Sequence, residues 1–396
     1  MRRWTVIGAT ARSNATFLER LPCGIGGILW GERMDKAALK LSGVTSRFRA
    51  GAAAGTLDAL TFAPVPGEVT AVLGPPGSGK SALIRAAAGF ERVRGTIEWD
   101  GKPIGGVPAH LRGFGVVLQP DILFPSMTLA ANVAFPLRVR GVKQAACRRL
   151  VEEALELVQL SAVARVLPAA ATPAQRQRAM LARATVFGPR LLLLDEPFDA
   201  QPPAERSAII ASLRRIHALL GTTTLLATAS GSDAMAAADR VAILRAGAVA
   251  QYGTADEVFD RPRNDFVAGL LGETNQLPGR VEEIDDDVAI VRLDCGPTVE
   301  ALPGPTLQPG DACRLTIRAD RIAIASASAA EMGGHAIDAT LIEAKFEGES
   351  YRLRLLIGTG AEIIVRRPAA AGLRGLHVGA SASLAWQPHH AGAFRK

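Results

Sequence analysis

A glycine-rich segment that ends in lysine and serine has the spacing needed to hold phosphate groups. It fits the pattern G-x-x-x-x-G-K-[ST] in full and reads Gly74-Pro75-Pro76-Gly77-Ser78-Gly79-Lys80-Ser81. Glycines let the backbone turn tightly, so that successive N–H groups point toward phosphate oxygens. A helix predicted to start near Lys80 and to include Ala82 adds its positive end to the site. We expect Lys80 to reach the β- and γ-phosphates of a nucleotide and the Ser81 hydroxyl to ligate Mg²⁺.

Two consecutive acids follow a run of four leucines, and they predict a second part of the same site. Residues 191–194 have the pattern of a buried strand, and Asp195 and Glu196 stand at its end. In a parallel sheet, that end lies beside the phosphate-binding loop. We expect Asp195 to hold Mg²⁺ through water and Glu196 to polarise an attacking water as a general base. A strand that ends at a helix-capping acid would explain one carboxylate but not both.

The elements that must position these residues alternate between short apolar runs and helical stretches, from Leu39 to about Gly272. This alternation is typical of an α/β nucleotide-binding domain with a parallel sheet. Strands are predicted at residues 69–73, 115–118, 191–194, 223–227 and 241–244. Helices are predicted at residues 81–88, 145–158, 175–185 and 203–220.

After about Glu273 the sequence changes to short β-type runs separated by Gly, Pro and Asp turns. Strands are predicted at residues 281–284, 288–293, 313–317, 339–343, 352–357 and 362–366, which together indicate a small β-barrel. We therefore divide the chain into an N-terminal extension at 1–37, an α/β domain at 38–272 and a β domain at 273–396. The extension has no periodic pattern, and it is predicted to be disordered or to precede the true start at Met34.

The composition is that of a folded soluble protein, and it argues against several other classes. Of the 396 residues 48% are hydrophobic and 21% charged, and no stretch of eighteen residues is apolar enough to span a membrane. The net charge of +7 comes from scattered arginines without interleaved aromatic residues, so no nucleic-acid binding is predicted. The four cysteines form no CxxC pair and suit a reducing compartment. Three consecutive acids at 285–287 are predicted to form a hairpin turn rather than a metal site.

With both motifs in place, the chain after Met34 resembles the ATP-binding subunits of ABC importers for polyamines, ferric iron or sugars. The resemblance implies a P-loop NTPase ABC nucleotide-binding domain with a helical subdomain, followed by a small all-β, OB-like (TOBE) regulatory domain. It places Gln119 in the Q-loop, where this residue senses the γ-phosphate and Mg²⁺. It also suggests that Phe48 stacks on adenine, although a lone phenylalanine is as typical of a core. The segment between Phe124 and Phe135 resembles the part that meets the permease.

Three departures from the family pattern affect the expected hydrolysis. The signature Leu-Ser-Gly-Gly-Gln, which clasps the γ-phosphate bound to the opposite subunit, is represented by Ala171-Thr172-Pro173-Ala174-Gln175. Gln175 is retained as a nucleotide-binding residue, but Pro173 has no N–H to donate and Ala174 crowds the close approach of the backbone. Ala229 stands where the switch histidine is expected. Pro202 replaces the terminal aspartate of the D-loop.

The resemblance implies ATP and Mg²⁺ as cofactors, and it implies several partners. These are a second ATPase subunit (a homodimer or another ABC ATPase), an integral-membrane permease and a separate solute-binding protein. The location implied is peripheral, on the cytoplasmic face of the inner membrane. Three functions remain open: a transport ATPase of weak activity, an ATP-dependent clamp or regulatory subunit with negligible hydrolysis, and a P-loop enzyme unconnected with transport. Retention of Glu196 favours the first, whereas Pro173 and Ala229 favour the second.

Overall fold

The computed structural model describes residues 39–46, 56–119, 123–199, 201–325 and 336–396. The predicted extension at 1–37 and the predicted adenine contact of Phe48 lie outside these ranges. Within them the chain forms two compact units in space, which divide after Ala250, with the short segment Ser230–Ser232 assigned to the second unit. The boundary predicted at 272/273 lies within the second unit, and it stays a prediction about domain organisation.

The α/β part contains ten strands and six helices among the described residues. The strands are β1 Leu39–Ser46, β2 Leu57–Phe62, β3 Val69–Leu73, β4 Arg94–Trp99, β5 Lys102–Pro103, β6 Gly115–Val117, β7 Leu191–Asp195, β8 Thr223–Thr228, β9 Arg240–Arg245 and β10 Ala248–Thr254. The helices are α1 Lys80–Ala88, α2 Leu129–Val139, α3 Gln144–Leu157, α4 Pro173–Thr185, α5 Pro203–Leu220 and α6 Gly231–Ala237. All nine elements predicted here are present, whereas β1, β2, β4, β5, β10, α2 and α6 were not predicted.

A six-stranded sheet in the order β10-β9-β3-β8-β7-β6 forms the centre of this part. Its pairs β9/β3, β3/β8, β8/β7 and β7/β6 are parallel. Every residue of β3 and β7 is buried, as is expected for central strands covered on both faces. Because parallel strands end at the same edge, the residues that follow β3, β6, β7 and β8 are brought together there. This edge carries the phosphate-binding loop, Gln119, Glu196 and Ala229.

A second sheet and three helices complete the α/β part. Strands β2-β1-β4-β5 form an antiparallel sheet. Helix α3 buries Cys147, Leu150, Val151, Ala154 and Leu155, and this spacing of three and four residues gives one apolar face. Helices α2, α3 and α4 pack on one another and form the helical subdomain that the resemblance implied.

The second unit is mainly β-structure. It contains α7 Ala255–Asp260, α8 Asp265–Leu270, β11 Thr274–Asp285, β12 Val288–Leu293, β13 Thr298–Pro303, β14 Ala312–Arg318, β15 Ala323–Ala325, β16 Ile337–Phe346, β17 Ser350–Ile357, β18 Ala361–Pro368, β19 Ser381–Ala385 and β20 Ala391–Arg395. Strands β11-β12-β13-β20-β14 close into a barrel, and β15-β19-β16-β17-β18 form a separate five-stranded sheet. The predicted barrel therefore uses only part of the β region. Asp286 lies in the β11–β12 hairpin turn with φ 48°, as the turn interpretation of the three acids predicted.

Asn275 joins the barrel strand β11 to the edge strand β18 through its side-chain amide. Its Nδ2 donates to the carbonyl of Ile364 at 2.8 Å, and its Oδ1 accepts from the N–H of the same residue. The Asn275 side chain is 5% exposed. Two residues earlier, the Glu273 carboxylate accepts from Arg352 Nε and Arg366 Nε, each at 2.8 Å, and these bonds lower the pKa of Glu273 although burial alone would raise it. The Asn275 amide thus satisfies one N–H and one carbonyl of the edge strand β18, which has no strand beside it on that side.

Replacing Asn275 by alanine is expected to lower the free energy of unfolding by about 1–3 kcal/mol, because both main-chain groups of Ile364 lose their buried partner. Urea denaturation of the full chain measures this change. The control is Glu362→Gln on β18, whose side chain is 52% exposed, and which should change stability by less than about 0.5 kcal/mol. Equal denaturation midpoints for the two variants would contradict the assigned role of Asn275.

Candidate functional site

The phosphate-binding loop follows β3 and ends at the first turn of α1. Gly79 is the N-cap of the helix with φ 105°, and Gly77 has φ 79°, so both positions adopt backbone conformations that favour glycine. A Cβ added at Gly74 would lie 2.5 Å from Ser78 Oγ and 2.6 Å from the carbonyl oxygen of Leu244. The three glycines of the motif are therefore required by local geometry.

Lys80 connects this loop to the acidic end of β7. Its Nζ donates to the carbonyl of Gly74 at 2.8 Å and to that of Pro75 at 3.2 Å. The same nitrogen lies 3.4 Å from Glu196 Oε1. With its side chain 6% exposed, the Lys80 ammonium is held at the centre of the site, where its attraction for anions is only weakly screened by water.

The loop fits a nucleotide phosphate by its backbone and its cation. Gly77 and Gly79 have positive φ values, and such a glycine-rich turn aims successive N–H groups at an anion. The buried Lys80 ammonium supplies the positive charge beside them. The chemistry of the loop and that of the predicted ligand therefore agree.

The two predicted acids stand together at the end of β7. Asp195 is 3% exposed, and its Oδ1 accepts from Ser81 Oγ at 2.8 Å. Burial raises the pKa of Asp195, and the Ser81 hydrogen bond opposes this shift, as do the charges of Arg85 and Lys80. Burial also raises the pKa of Glu196, against the opposing effect of the Lys80 charge and of hydrogen bonds from Ala229 and Lys80. The Ser81–Asp195 pair supplies two oxygen ligands of the kind that Mg²⁺ prefers.

Gln119 reaches the same acids from the end of β6. Its Nε2 donates to the main-chain carbonyl of Glu196, so its amide oxygen is the atom that a metal would take. Within the described ranges, no group of three or more His, Cys, Asp and Glu side chains could hold a metal ion. A magnesium site here would therefore rest on Ser81, Asp195, Gln119 and the phosphates themselves.

The segment predicted to meet a permease is built around Asn132. This side chain is fully buried, accepts from the N–H of Phe124 at 2.8 Å and donates to the carbonyls of Phe124, Met127 and Thr128 at 3.0–3.1 Å. The rings of Phe124 and Phe135 lie with centroids 4.6 Å apart. Residues 120–122, which precede this segment, lie outside the described ranges.

The degenerate signature forms the start of α4. Thr172 and Gln175 make a reciprocal capping box: Thr172 Oγ1 accepts from the Gln175 N–H at 3.2 Å, and Gln175 Oε1 accepts from the Thr172 N–H at 2.9 Å. Pro173 occupies the first helical position, where an N–H has no partner within the helix and proline is favoured. The substitution therefore suits the helix while it removes a donor. The nucleotide contact of Gln175 requires a second chain and stays a prediction.

Ala229 contributes a main-chain group to the site, whereas the D-loop residue Pro202 begins a helix. The N–H of Ala229 donates to Glu196 Oε2 at 3.0 Å, a contact that sequence patterns cannot predict because it does not depend on the side chain. Pro202 is the N-cap of α5, and the carbonyl of Gln201 accepts from Arg206 Nη2 at 3.2 Å. The substitution at Pro202 is thus compatible with the start of this helix, as that at Pro173 is with α4.

Glu91 is a further acid near the site, and the motifs did not indicate it. It follows the C-cap of α1, and its Oε1 is buried without a hydrogen-bond partner. Burial raises the pKa of Glu91 to about 7; the charge of Arg85 opposes the shift and that of Asp195 adds to it. The folded protein therefore binds this proton more tightly than the unfolded chain does.

This shift predicts a pH-dependent effect of Glu91→Gln on stability. A raised acid pKa makes the stability of the wild-type protein fall as pH rises from about 4.5 to about 7. The variant should therefore be more stable than the wild type at pH 8, by about 1 kcal/mol after allowance for partial exposure, and equal to it near pH 4.5. Chemical denaturation at both pH values tests this. The exposed Glu152→Gln on α3 serves as the control, and the same stability change at both pH values would contradict the prediction.

A glycine-rich loop on a helix N-terminus, opposite two carboxylates at the end of a buried parallel strand, defines a P-loop nucleotide-binding protein. The ABC transporter family matches residues 57–199, and the TOBE domain family matches residues 315–394. Among the described residues, no helix is long and apolar enough to cross a bilayer.

Similar proteins agree with these two family matches, and the first of them covers most of the chain. The spermidine/putrescine import ATP-binding protein PotA of Thermobifida fusca is 32% identical over 95% of this chain and 98% of its own length. The Fe(3+) ions import ATP-binding protein FbpC of Streptomyces coelicolor is 42% identical over 61% of this chain and 69% of its own. Among solved structures, cbiO1 from Clostridium perfringens, part of the ABC transporter complex cbiONQ, has a TM-score of 0.52 at 27% identity and covers 57% of this chain and 92% of its own. The chain therefore belongs to the family of ABC transporter ATP-binding subunits, and it is an ABC-type ATPase with a C-terminal TOBE domain. This confirms the family and the fold class expected from the two motifs.

Proposed function

We propose that the chain is the energy-coupling subunit of an importer, which binds MgATP and hydrolyses it slowly to drive a separate permease. The observation that carries the proposal is the contact of Lys80 Nζ with Glu196 Oε1 at 3.4 Å, beside a Ser81–Asp195 pair at 2.8 Å. A cation for phosphate, a hydroxyl–carboxylate pair for a metal and a buried acid for water thus converge at one sheet edge. Relatives whose printed names describe import ATP-binding proteins support this assignment.

In this proposal each residue has a defined part in hydrolysis. The loop N–H groups and Lys80 bind the β- and γ-phosphates, and the carboxylate of Glu196 accepts a proton from the water that attacks the γ-phosphorus. The bond between the γ-phosphorus and the bridging oxygen breaks, so that ADP and phosphate leave. Mg²⁺, when bound to Ser81, Asp195 and Gln119, neutralises charge on the phosphate oxygens.

Slow turnover is expected because two hydrogen-bond donors to the γ-phosphate are missing. Pro173 offers no N–H, and the Ala229 side chain offers no donor to the γ-phosphate. A donor aimed at the charge of a transition state contributes about 3 kcal/mol, or two to three orders of magnitude in rate. In a homodimer both sites carry both losses. A normal ABC partner would repair the signature in one site and the switch position in the other.

The partners belong to the same proposal. The surface built by Asn132 around Phe124 and Phe135 meets the permease, and a separate solute-binding protein selects the solute. The ATPase subunits act as a dimer on the cytoplasmic face of the inner membrane. The relatives named above suggest which solutes to test: polyamines and Fe(III).

A second function is favoured by the two substitutions that fit their helices. Pro173 at the start of α4 and Pro202 before α5 suit the folded chain while they remove groups needed for hydrolysis. This is what a clamp that closes on ATP with negligible turnover requires. The intact Glu196 contacts favour the motor over the clamp.

Uptake in the source bacterium tests the motor. A strain lacking the gene is complemented with wild type, Lys80→Ala or Glu196→Gln, and uptake of labelled spermidine, putrescine and Fe(III) is measured. We expect one of these solutes to be taken up only with the wild-type chain. Restoration of uptake by Glu196→Gln as well as by wild type would exclude the motor and favour the clamp. ATP binding by the three purified chains is measured in parallel.

A further inference from the structure

We infer that the main-chain N–H of Ala229 is a positioning group for the general base, because it fixes the carboxylate of Glu196 by continuing the hydrogen-bond ladder between β7 and β8. This inference rests on the proposed function, in which Glu196 is the base. It concerns the backbone at position 229, and it is therefore independent of which side chain stands there.

The ladder between the two strands shows how the contact arises. Asp195 pairs with Ala227 in the parallel register, and the Glu196 N–H donates to the carbonyl of Ala227 at 2.9 Å. In a regular parallel ladder the next donor, the N–H of Ala229, would meet the main-chain carbonyl of Glu196. Instead it meets the side-chain Oε2 of Glu196 at 3.0 Å. The carboxylate has taken the place of a main-chain acceptor.

The backbone of Glu196 explains this exchange. Glu196 has φ 48°, a left-handed conformation that is uncommon for a residue with a side chain. The ladder therefore ends at this residue, and its carbonyl accepts from Gln119 Nε2 and from the N–H of Asp199 at 3.2 Å. Since the carbonyl has other donors, the Ala229 N–H is left for the carboxylate.

Both carboxylate oxygens are consequently fixed from different elements. Oε1 lies 3.4 Å from Lys80 Nζ on α1, and Oε2 accepts from the end of β8. The charged groups that act on Glu196 are Lys80 and Asp195. Two contacts in different directions restrict rotation of the carboxylate, which a base needs in order to meet one water at one place.

The contact with Glu196 does not depend on the side chain at position 229. A side-chain donor is lost by one substitution, but every residue except proline keeps the N–H. Thus the alanine removes a γ-phosphate donor without releasing the base.

The test replaces the alanine at 229 in the full chain by lactic acid, which changes the N–H to an ester oxygen and leaves the side chain unchanged. A readout of the contact itself is hydrogen exchange of the Ala229 amide, followed by NMR in the wild type and in Glu196→Ala. The contact should slow exchange of this amide, and loss of the carboxylate should speed it by about tenfold or more. Ala229→Gly keeps the N–H and is the matched control for the ester.

Turnover gives a second readout. The ester is expected to lower kcat for ATP about tenfold and to change KM less than about twofold, and to have no further effect in a Glu196→Gln chain. Ala229→Pro removes the same N–H by another route and should act in the same direction. Equal exchange of the Ala229 amide with and without the Glu196 carboxylate overturns the inference. If Glu196→Gln leaves wild-type turnover unaltered, the proposed base is wrong, and the exchange measurement still decides whether the contact exists.

Discussion

Glu196→Gln is expected to lower kcat for ATP hydrolysis by about a hundredfold or more while ATP binding is retained. A positioned general base contributes about 10²–10⁴ in rate, and glutamine keeps the shape of the side chain but cannot accept the proton from water. The phosphate-binding groups, Lys80 and the loop, are not changed by this substitution. We therefore expect KM to change little, in contrast to Lys80→Ala, which should lose nucleotide binding.

The pH dependence of the wild-type rate provides a second sign of the same role. Burial raises the pKa of Glu196, so the base becomes protonated at a higher pH than an exposed glutamate would. The rate should fall as the pH drops through this raised value, and the residual rate of Glu196→Gln should lack that acidic limb.

Steady-state phosphate release and equilibrium binding of a labelled ATP analogue measure both effects. Glu152→Gln on α3, an exposed acid with a side chain 70% accessible, is the matched control and should retain the wild-type rate. A Glu196→Gln chain as active as the wild type would remove Glu196 from the chemistry.

The sequence predicted the central elements because their causes are local. The pattern around Lys80 requires glycines at fixed places, and the short leucine run before Asp195 favours a buried strand. The positive φ values of Gly77 and Gly79 agree with that local requirement. The same holds for the predicted helix α3, whose buried residues recur every three or four positions and form one apolar face.

Other contacts were beyond prediction because they join residues distant in sequence through main-chain atoms. The Ala229 N–H meets Glu196 across 33 positions, and the Asn275 amide pairs with Ile364 across 89. Neither contact leaves a repeating pattern in composition or spacing. Strand β15 was missed because it has only three residues and lies at the edge of its sheet, where its burial is set by a neighbouring strand.

Pro173, a departure from the family pattern, is favourable for the local structure. Sequence comparison with the family marks Pro173 as a loss, and for phosphate contact it is one. For the helix it is favourable, since it stands at the first position of α4 beside a capping box made by Thr172 and Gln175. Proline at this position thus suits the start of α4, while it offers no N–H to a ligand.

Ala229→His is expected to raise kcat by about one to two orders of magnitude, because it returns a donor to the γ-phosphate. Ala229 is exposed at the end of β8, so the larger side chain can be accommodated without repacking a core. Since its main-chain N–H is unchanged, the contact with Glu196 persists. The gain should therefore appear in kcat and be abolished by Glu196→Gln in the same chain.

Pro173→Gly combined with Ala174→Gly should add to this gain, because the first change restores an N–H of the signature and the second removes the Cβ that crowds the close approach of the backbone. The cost falls on α4, because glycine is a poor helix former, and we expect stability to decrease by about 1–2 kcal/mol. Turnover of the triple variant should exceed that of Ala229→His, which thermal unfolding and phosphate release on the same samples would establish. Ala229→Phe is the size-matched control without a donor, and it should leave kcat at the wild-type level. If the histidine and glycine variants also remain at that level, the missing donors do not limit hydrolysis, and the slow step lies in closure of the dimer or release of product.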